Sequence, residues 1–465
     1  MDLSVFTHLV RSSVAFRLRL RLQPAAGPGT KVFPPTYSGP IYATESRYLP
    51  GVESPVVCVL LDSQASQANR MEQALLAAWR CGRIQLPVIY SDFPGPDPDD
   101  GSCPSDLQLP RSPGRLTSLE VPHRISDAIL RDSVVPEEGR VFRSPRIEFE
   151  SSWGQRLRRA HLRQARVLYE ICPTALLFGM WDSTLGAGPL ALRIERALTS
   201  EIVGVDVVFG TRTSSRIDPL SVERDATPVY RSRPSHPLAW TVSPELALQV
   251  DGEPVLYGQK GHPSEINHGN VVPTAARGST TSGVGGVTMR FAELTTVISL
   301  AALRRFSFPA EGEETAPPEV DLAGQTVLAA LGVMATYLML ESGLDLRSRC
   351  VLVPEEPPVW EALSPIGEVT RMMDLNLDNC VPLFQSAVAA AAAVGLVWRT
   401  EPLRLVPTED LVRLVARSQQ FGDSEREETV PDVPPAEAAP AEAARGRRRK
   451  GAQVVVRETP AGEGK

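Results

Sequence analysis

The chain lacks the usual marks of a metal or disulfide scaffold. Its six cysteines are scattered and form no CxxC pair. That argues against a structural zinc site and a disulfide framework, and fits a reducing, cytoplasmic setting. Histidines also number only six. None belongs to a recognisable Ser/His or Cys/His arrangement, which leaves a small-molecule enzyme poorly supported. His262 and His268 share one polar loop but have no third ligand nearby, so no metal site is expected there. Positive charge is not in excess either. The formal net charge is −7, so any nucleic-acid surface has to be local. No uninterrupted apolar span of membrane length is read, and Arg17, Arg19 and Arg21 interrupt the apolar stretch nearest the N-terminus. Neither a membrane helix nor a signal peptide is therefore expected. Gly283 to Gly286 reads GVGG, but the GxxxxGKT pattern is missing, which argues against a nucleotide P-loop.

What is present is room and irregularity. With 465 residues, 42% of them hydrophobic, the chain can form two or three ordinary domains or one large elaborated one. Forty-two prolines argue for many loops and against an all-helical bundle. Val14 to Leu22 alternates apolar residues with Arg17, Arg19 and Arg21, the pattern of a half-buried strand with a basic outer face. A Gly/Pro-rich loop with Lys31 follows, then a segment with Tyr42 and Arg47. Val56 to Leu61 reads as a buried strand that breaks at Asp62-Ser63, either of which can cap a helix carrying Ala68, Met71, Leu75 and Trp79 at helical spacing. Its first turns hold Gln64, Gln67, Asn69 and Arg70 where unpaired N–H groups and the helix dipole suit a phosphate. A plain capped helix with a solvated start explains the same residues.

Further on, 91–114 reads as a surface loop. Trp153 to Tyr169 reads as a helix with Arg156, Arg159, Arg163 and Arg166 in a stripe, which suits nucleic acid or a solvated face equally. Ile202 to Phe209 reads as a strand leading to Arg212, Arg216 and Asp218. The polar, Gly-rich stretch 258–287 carries Lys260, Asn270 and Arg277. Leu322 to Glu341 and Val381 to Trp398 read as helices, and Thr408 to Ser418 as a short terminal one. From 422 to 465 the chain turns Pro/Ala/Glu-rich, with a basic knot from Arg445 to Lys450, the composition of a disordered tail.

Five blocks in order carry a resemblance: KVFPPTYSGPIYATESR, VVCVLLDSQASQANRMEQAL, SRIDPL, GHPSEINHGNVVP and GGVTMRFAELTTVISLAALRRFSFP. LDSQASQANRMEQAL and SEINHGNVVP are the most specific. The chain from Val14 to Ser418 resembles the RAMP-superfamily backbone subunit, the "Cas-seven" component, of type I-G (formerly I-U) CRISPR effector complexes (Cascade). The resemblance implies an α+β hand over residues 1–421. Its palm would be RRM-like (ferredoxin-like), with a helical fingers insertion and a β-hairpin thumb placed somewhere in 205–233. It also implies a non-catalytic subunit that holds CRISPR guide RNA by its backbone, stacks copies of itself into a filament and presents the guide to target DNA beside other Cascade subunits. No cofactor, metal or membrane is expected. The expected RNA-contacting residues are Lys31, Arg47, Gln64, Gln67, Asn69, Arg70, Arg212, Arg216, Lys260, Asn270 and Arg277.

The alternative within the same superfamily is a nuclease that cuts RNA with a metal-bound aspartate, as type III relatives do. Asp62 and Asp218 are its candidates. Helix capping is the simpler role for Asp62, and a turn or ion pair with Arg216 the simpler role for Asp218.

Overall fold

Alternation of large apolar residues with arginines builds the central strand of a nine-stranded antiparallel sheet. A computed structural model of the chain describes residues 1–39, 41–94, 107, 109, 111–182, 192–223 and 225–428. The protein is mixed α+β. The sheet strands are, in chain order, β1 (Ala15–Pro24), β2 (Thr44–Arg47), β3 (Val56–Asp62), β4 (Leu198–Phe209), β5 (Val287–Ser299), β6 (Leu344–Arg347), β7 (Cys350–Pro354), β8 (Trp360–Leu363) and β9 (Val369–Met372). Across the sheet the order is β6-β7-β1-β5-β4-β3-β2, and β8 pairs with both β1 and β9. In the β1–β5 register Leu18 faces Thr296 and Leu20 faces Leu294.

Period-two alternation sends Phe16, Leu18, Leu20 and Leu22 to one face, where all are buried. That face is covered by helices. α1 (Leu3–Ser12), α2 (Gln64–Arg80), α3 (Pro318–Glu341) and α4 (Leu377–Ala393) share one apolar core with it. α3 is long and apolar enough, by length and composition, to cross a membrane, contrary to the expectation that no such span exists. Its most apolar window is 89% buried, and a helix apolar on all sides belongs in a core. Gly332 lets it approach the sheet: a Cβ there would lie 2.9 Å from Ile298 Cδ1 and 3.1 Å from Leu198 Cδ1.

A second sheet of five short strands has Leu403–Pro407 at its centre, parallel to Ile89–Asp92 and antiparallel to Ser133–Val135. The expected helix from Trp153 to Tyr169 is two short ones, Ser152–Leu157 and Arg166–Ile171. Between them the Leu162 carbonyl accepts from Ser307 N–H, and Ala165 N–H donates to the Ser307 carbonyl. Pairing with the 307 chain replaces the helical ladder, so the four arginines do not form one stripe. The terminal helix α5 (Glu409–Glu428) runs past Ser418 into the segment expected as tail. Residues 429–465, with the basic knot, lie outside the described residues, as do most of 95–110.

The chain divides into two compact units. Met1–Ser214 with Pro273–Thr429 form one, and Ser215–Val272 belongs to the other. Among its described residues the smaller unit has short strands, Tyr230–Arg231 paired with Trp240–Thr241 among them, and the short 3-10 turns Pro244–Leu246 and Pro263–Ile266. The strands Thr211–Arg216 and Val271–Arg277 pair with each other.

Candidate nucleic-acid interface

The expected RNA-facing residues divide by what already holds them. At the start of α2 the cap is Ser63, whose side chain accepts from Ser66 N–H. Asp62 is not the cap. It lies buried behind the helix, where Gln67 Nε2 donates to its Oδ2 at 2.6 Å and Arg70 Nε at 2.9 Å. Arg347 Nη2 stands 3.7 Å from the other oxygen, which accepts no hydrogen bond. Gln67 is fully buried, and its Oε1 accepts from Ser200 Oγ at 3.0 Å. It offers nothing to a ligand, which corrects the expectation at that position. Sequence periodicity could not show this, because Ser200 and its partner Thr296 come from β4 and β5.

Arg70 turns inward as well. Its two Nη groups donate to the Asp345 and Leu346 carbonyls at 3.1 and 2.7 Å. Of the four polar residues expected at this helix end, Gln64 and Asn69 are the exposed ones.

The outer face of the sheet is largely self-neutralised. Arg17 pairs with Glu361 at 2.7 Å and Arg19 with Glu293 at 2.8 Å. Arg47 pairs with Glu201 at 3.0 Å and with Glu45. Arg21 is directly opposite Glu293 in the register, yet Arg19 takes that carboxylate, and the Arg21 guanidinium lies 4.5 Å from the centroid of Phe291.

At the end of β1 the arrangement differs. Val32 bridges to Val287, and Phe33 N–H donates to the Arg349 carbonyl at 3.1 Å. Arg349 occupies the left-handed region, φ 61°, in the turn between β6 and β7. Lys31 Nζ donates to the Thr211 carbonyl at 3.1 Å. Its stem lies against glycines that leave no room for a side chain: a Cβ on Gly210 would be 2.7 Å from Lys31 Cδ, and one on Gly286 3.0 Å from Lys31 Cγ. Gly286 N–H donates to the Tyr42 hydroxyl at 3.1 Å, and burial pushes that hydroxyl's pKa up. Lys31, Arg212, Arg277 and Arg349 are all exposed. Phe33 and Arg349 are the residues that sequence reasoning missed. Phe33 stands beside Lys31 in KVFPP, but Arg349 acquires its place only through a hairpin far along the chain.

In the smaller unit, Arg216 donates to the Gly269 and His268 carbonyls, each at 2.9 Å. Asn270 Oδ1 accepts from Asp218 N–H at 2.8 Å. Hydrogen bonds from Gly269 N–H and Leu220 N–H hold the Asp218 carboxyl below its ordinary range. Asp218 therefore ties a turn together. Lys260 is exposed through its side chain, while its backbone N–H donates to Glu265. Burial works against ionisation of Glu265, but several backbone N–H groups, those of Gln259 and His262 among them, outweigh it and lower its pKa. Among the described residues, no group of three or more His, Cys, Asp or Glu side chains is placed to hold a metal ion.

Residues 16–209, from β1 to the end of β4, match the protein family described as CRISPR-associated protein GSU0053. The match supports a role in CRISPR-Cas defence. No curated protein matches the chain.

Proposed function

We propose that this protein is a non-catalytic backbone subunit of a type I-G CRISPR effector. In this reading it binds guide RNA along its sugar–phosphate chain, joins copies of itself and other subunits, and presents the guide to target DNA in the cytoplasm. The observation that carries the reading is the CRISPR-associated family match over 16–209. Strand order supports it. β7-β1-β5-β4, antiparallel throughout, with α3 between β5 and the β6–β7 hairpin, is compatible with an RRM-like palm. The residues from 211 to 277 are the candidate thumb, and the smaller sheet with its short helices is the candidate fingers. Exposed Lys31, Arg212, Arg277 and Arg349 supply local positive charge to a chain of net charge −7.

The non-catalytic part rests on what the two candidate aspartates already do. Asp62 is engaged by Arg70 and Gln67, and Asp218 by backbone N–H groups. The test is purification from cells carrying a CRISPR array. The protein should copurify with short RNA, seen as high ultraviolet absorbance at nucleic-acid wavelengths that ribonuclease removes, and sequencing should map that RNA to the array. A protein that emerges free of RNA and binds none when RNA is supplied overturns the reading.

A further inference from the structure

On and beside the large sheet some cations sit against carboxylates and others lie over aromatic rings. Arg17, Arg19, Arg47 and Arg70 each sit against a carboxylate, which cancels much of their charge for any incoming anion. Lys31 and Arg349 are held by a ring instead. Lys31 Nζ is 5.4 Å from the centroid of Phe33, and Arg349 Cζ is 4.9 Å from the same centroid. The electron-rich face of an aromatic ring attracts a cation without neutralising it. Both charges therefore stay available while both side chains are ordered.

Their backbones are fixed to each other as well. The Phe33–Arg349 hydrogen bond joins the two segments, the Val32–Val287 bridge adds β5, and the Lys31–Thr211 bond adds the strand after β4. Arg349 sits at the tip of a tight hairpin and Lys31 on glycines that admit no side chain. Four segments distant in sequence thus place two un-neutralised cations on one half-buried ring.

Resting on the function proposed above, we propose that Lys31 and Arg349 form a phosphate seat for single-stranded RNA, with Phe33 as the positioning residue that holds both. A guanidinium offers a planar fork of donors and an ammonium a compact charge, a pair suited to phosphate oxygens. The ring faces the cations, so the seat reads the backbone and is indifferent to base identity.

The test measures binding of the full chain to a labelled single-stranded RNA of arbitrary sequence across a salt series. Lys31→Ala with Arg349→Ala should flatten the log–log salt dependence by about 0.7 for each phosphate that is no longer neutralised. Phe33→Leu keeps both charges, so the slope should stay near wild type while affinity falls roughly two- to fivefold. Phe33→Trp, with a stronger cation-binding face, should match or exceed wild type. Arg80→Ala, which removes an exposed partner of Glu120, is the control. If Phe33→Leu fails to fold, the double variant and Phe33→Trp decide alone, since they change exposed cations or keep a ring. Wild-type protein that binds RNA with a steep salt slope, alongside a double variant with the same slope, overturns the seat and leaves the proposed function standing. Wild-type protein that binds no RNA overturns both.

Discussion

Asp62 gathers groups from two distant parts of the chain, and its loss should be felt as instability. Its carboxylate is fully buried between Arg70 and Gln67, with Arg347 close by. Asp62→Ala would strand a buried amide and leave two guanidiniums without their counter-charge. A cost of about 3 kcal/mol is expected, at the low end for a broken buried pair because Arg70 stays partly wet. Chemical denaturation measures it, and an unchanged midpoint would contradict the network described. Asp218 gives a prediction in pH. Its pKa is lowered in the folded state by N–H groups of Gly269 and Leu220, so it adds stability above its unfolded pKa, lost as pH falls through the lower folded value. The protection of the Gly269 and Leu220 amides against hydrogen exchange, relative to their intrinsic rates, should therefore fall on acidification below about pH 4, and Asp218→Asn should remove that dependence. Of the site, the polar start of α2 and Lys31 could be read from sequence, because capping and loop signals are local. Which donors face outward could not: the carboxylates that take up Arg17 and Arg19 arrive from β8 and β5, and Phe33 matters only because Arg349 reaches it.

Helix α3 is the element on which the core closes. Gly332 lies where a Cβ would press on Ile298 and Leu198 side chains, so Gly332→Val should overpack the helix–sheet interface. A loss of about 1–3 kcal/mol is expected, measured as a lower thermal midpoint. A neutral result would mean that the two side chains rotate away freely. β1, β3, β4 and α2 are readable because their apolar patterns are strong and their ends carry turn or cap residues. The stretch 153–169 is not, since its apolar spacing is helical while its backbone bonds go to Ser307. The buried α3 is readable as a helix but not as a core element of membrane-spanning length, because only packing distinguishes the two.

For the whole molecule, the proposed function predicts association that follows RNA. Head-to-tail interfaces repeat without closing, so the free protein should be largely monomeric and particles should lengthen with the guide supplied. Mass photometry on guides of increasing length reads this directly, and a closed dimer indifferent to RNA would contradict it. The sheet also has a consequence for synthesis. β1 is made early, yet its neighbours are β5, β7 and β8, and Arg17 meets Glu361 344 positions later. While the ribosome is still elongating, this apolar strand therefore has two open edges, the condition that invites pairing with a neighbouring nascent chain. Such long-range closure is also slow. A fragment ending at Phe209 lacks β5, β7 and β8, so β1 stays unpaired until most of the larger unit has been translated.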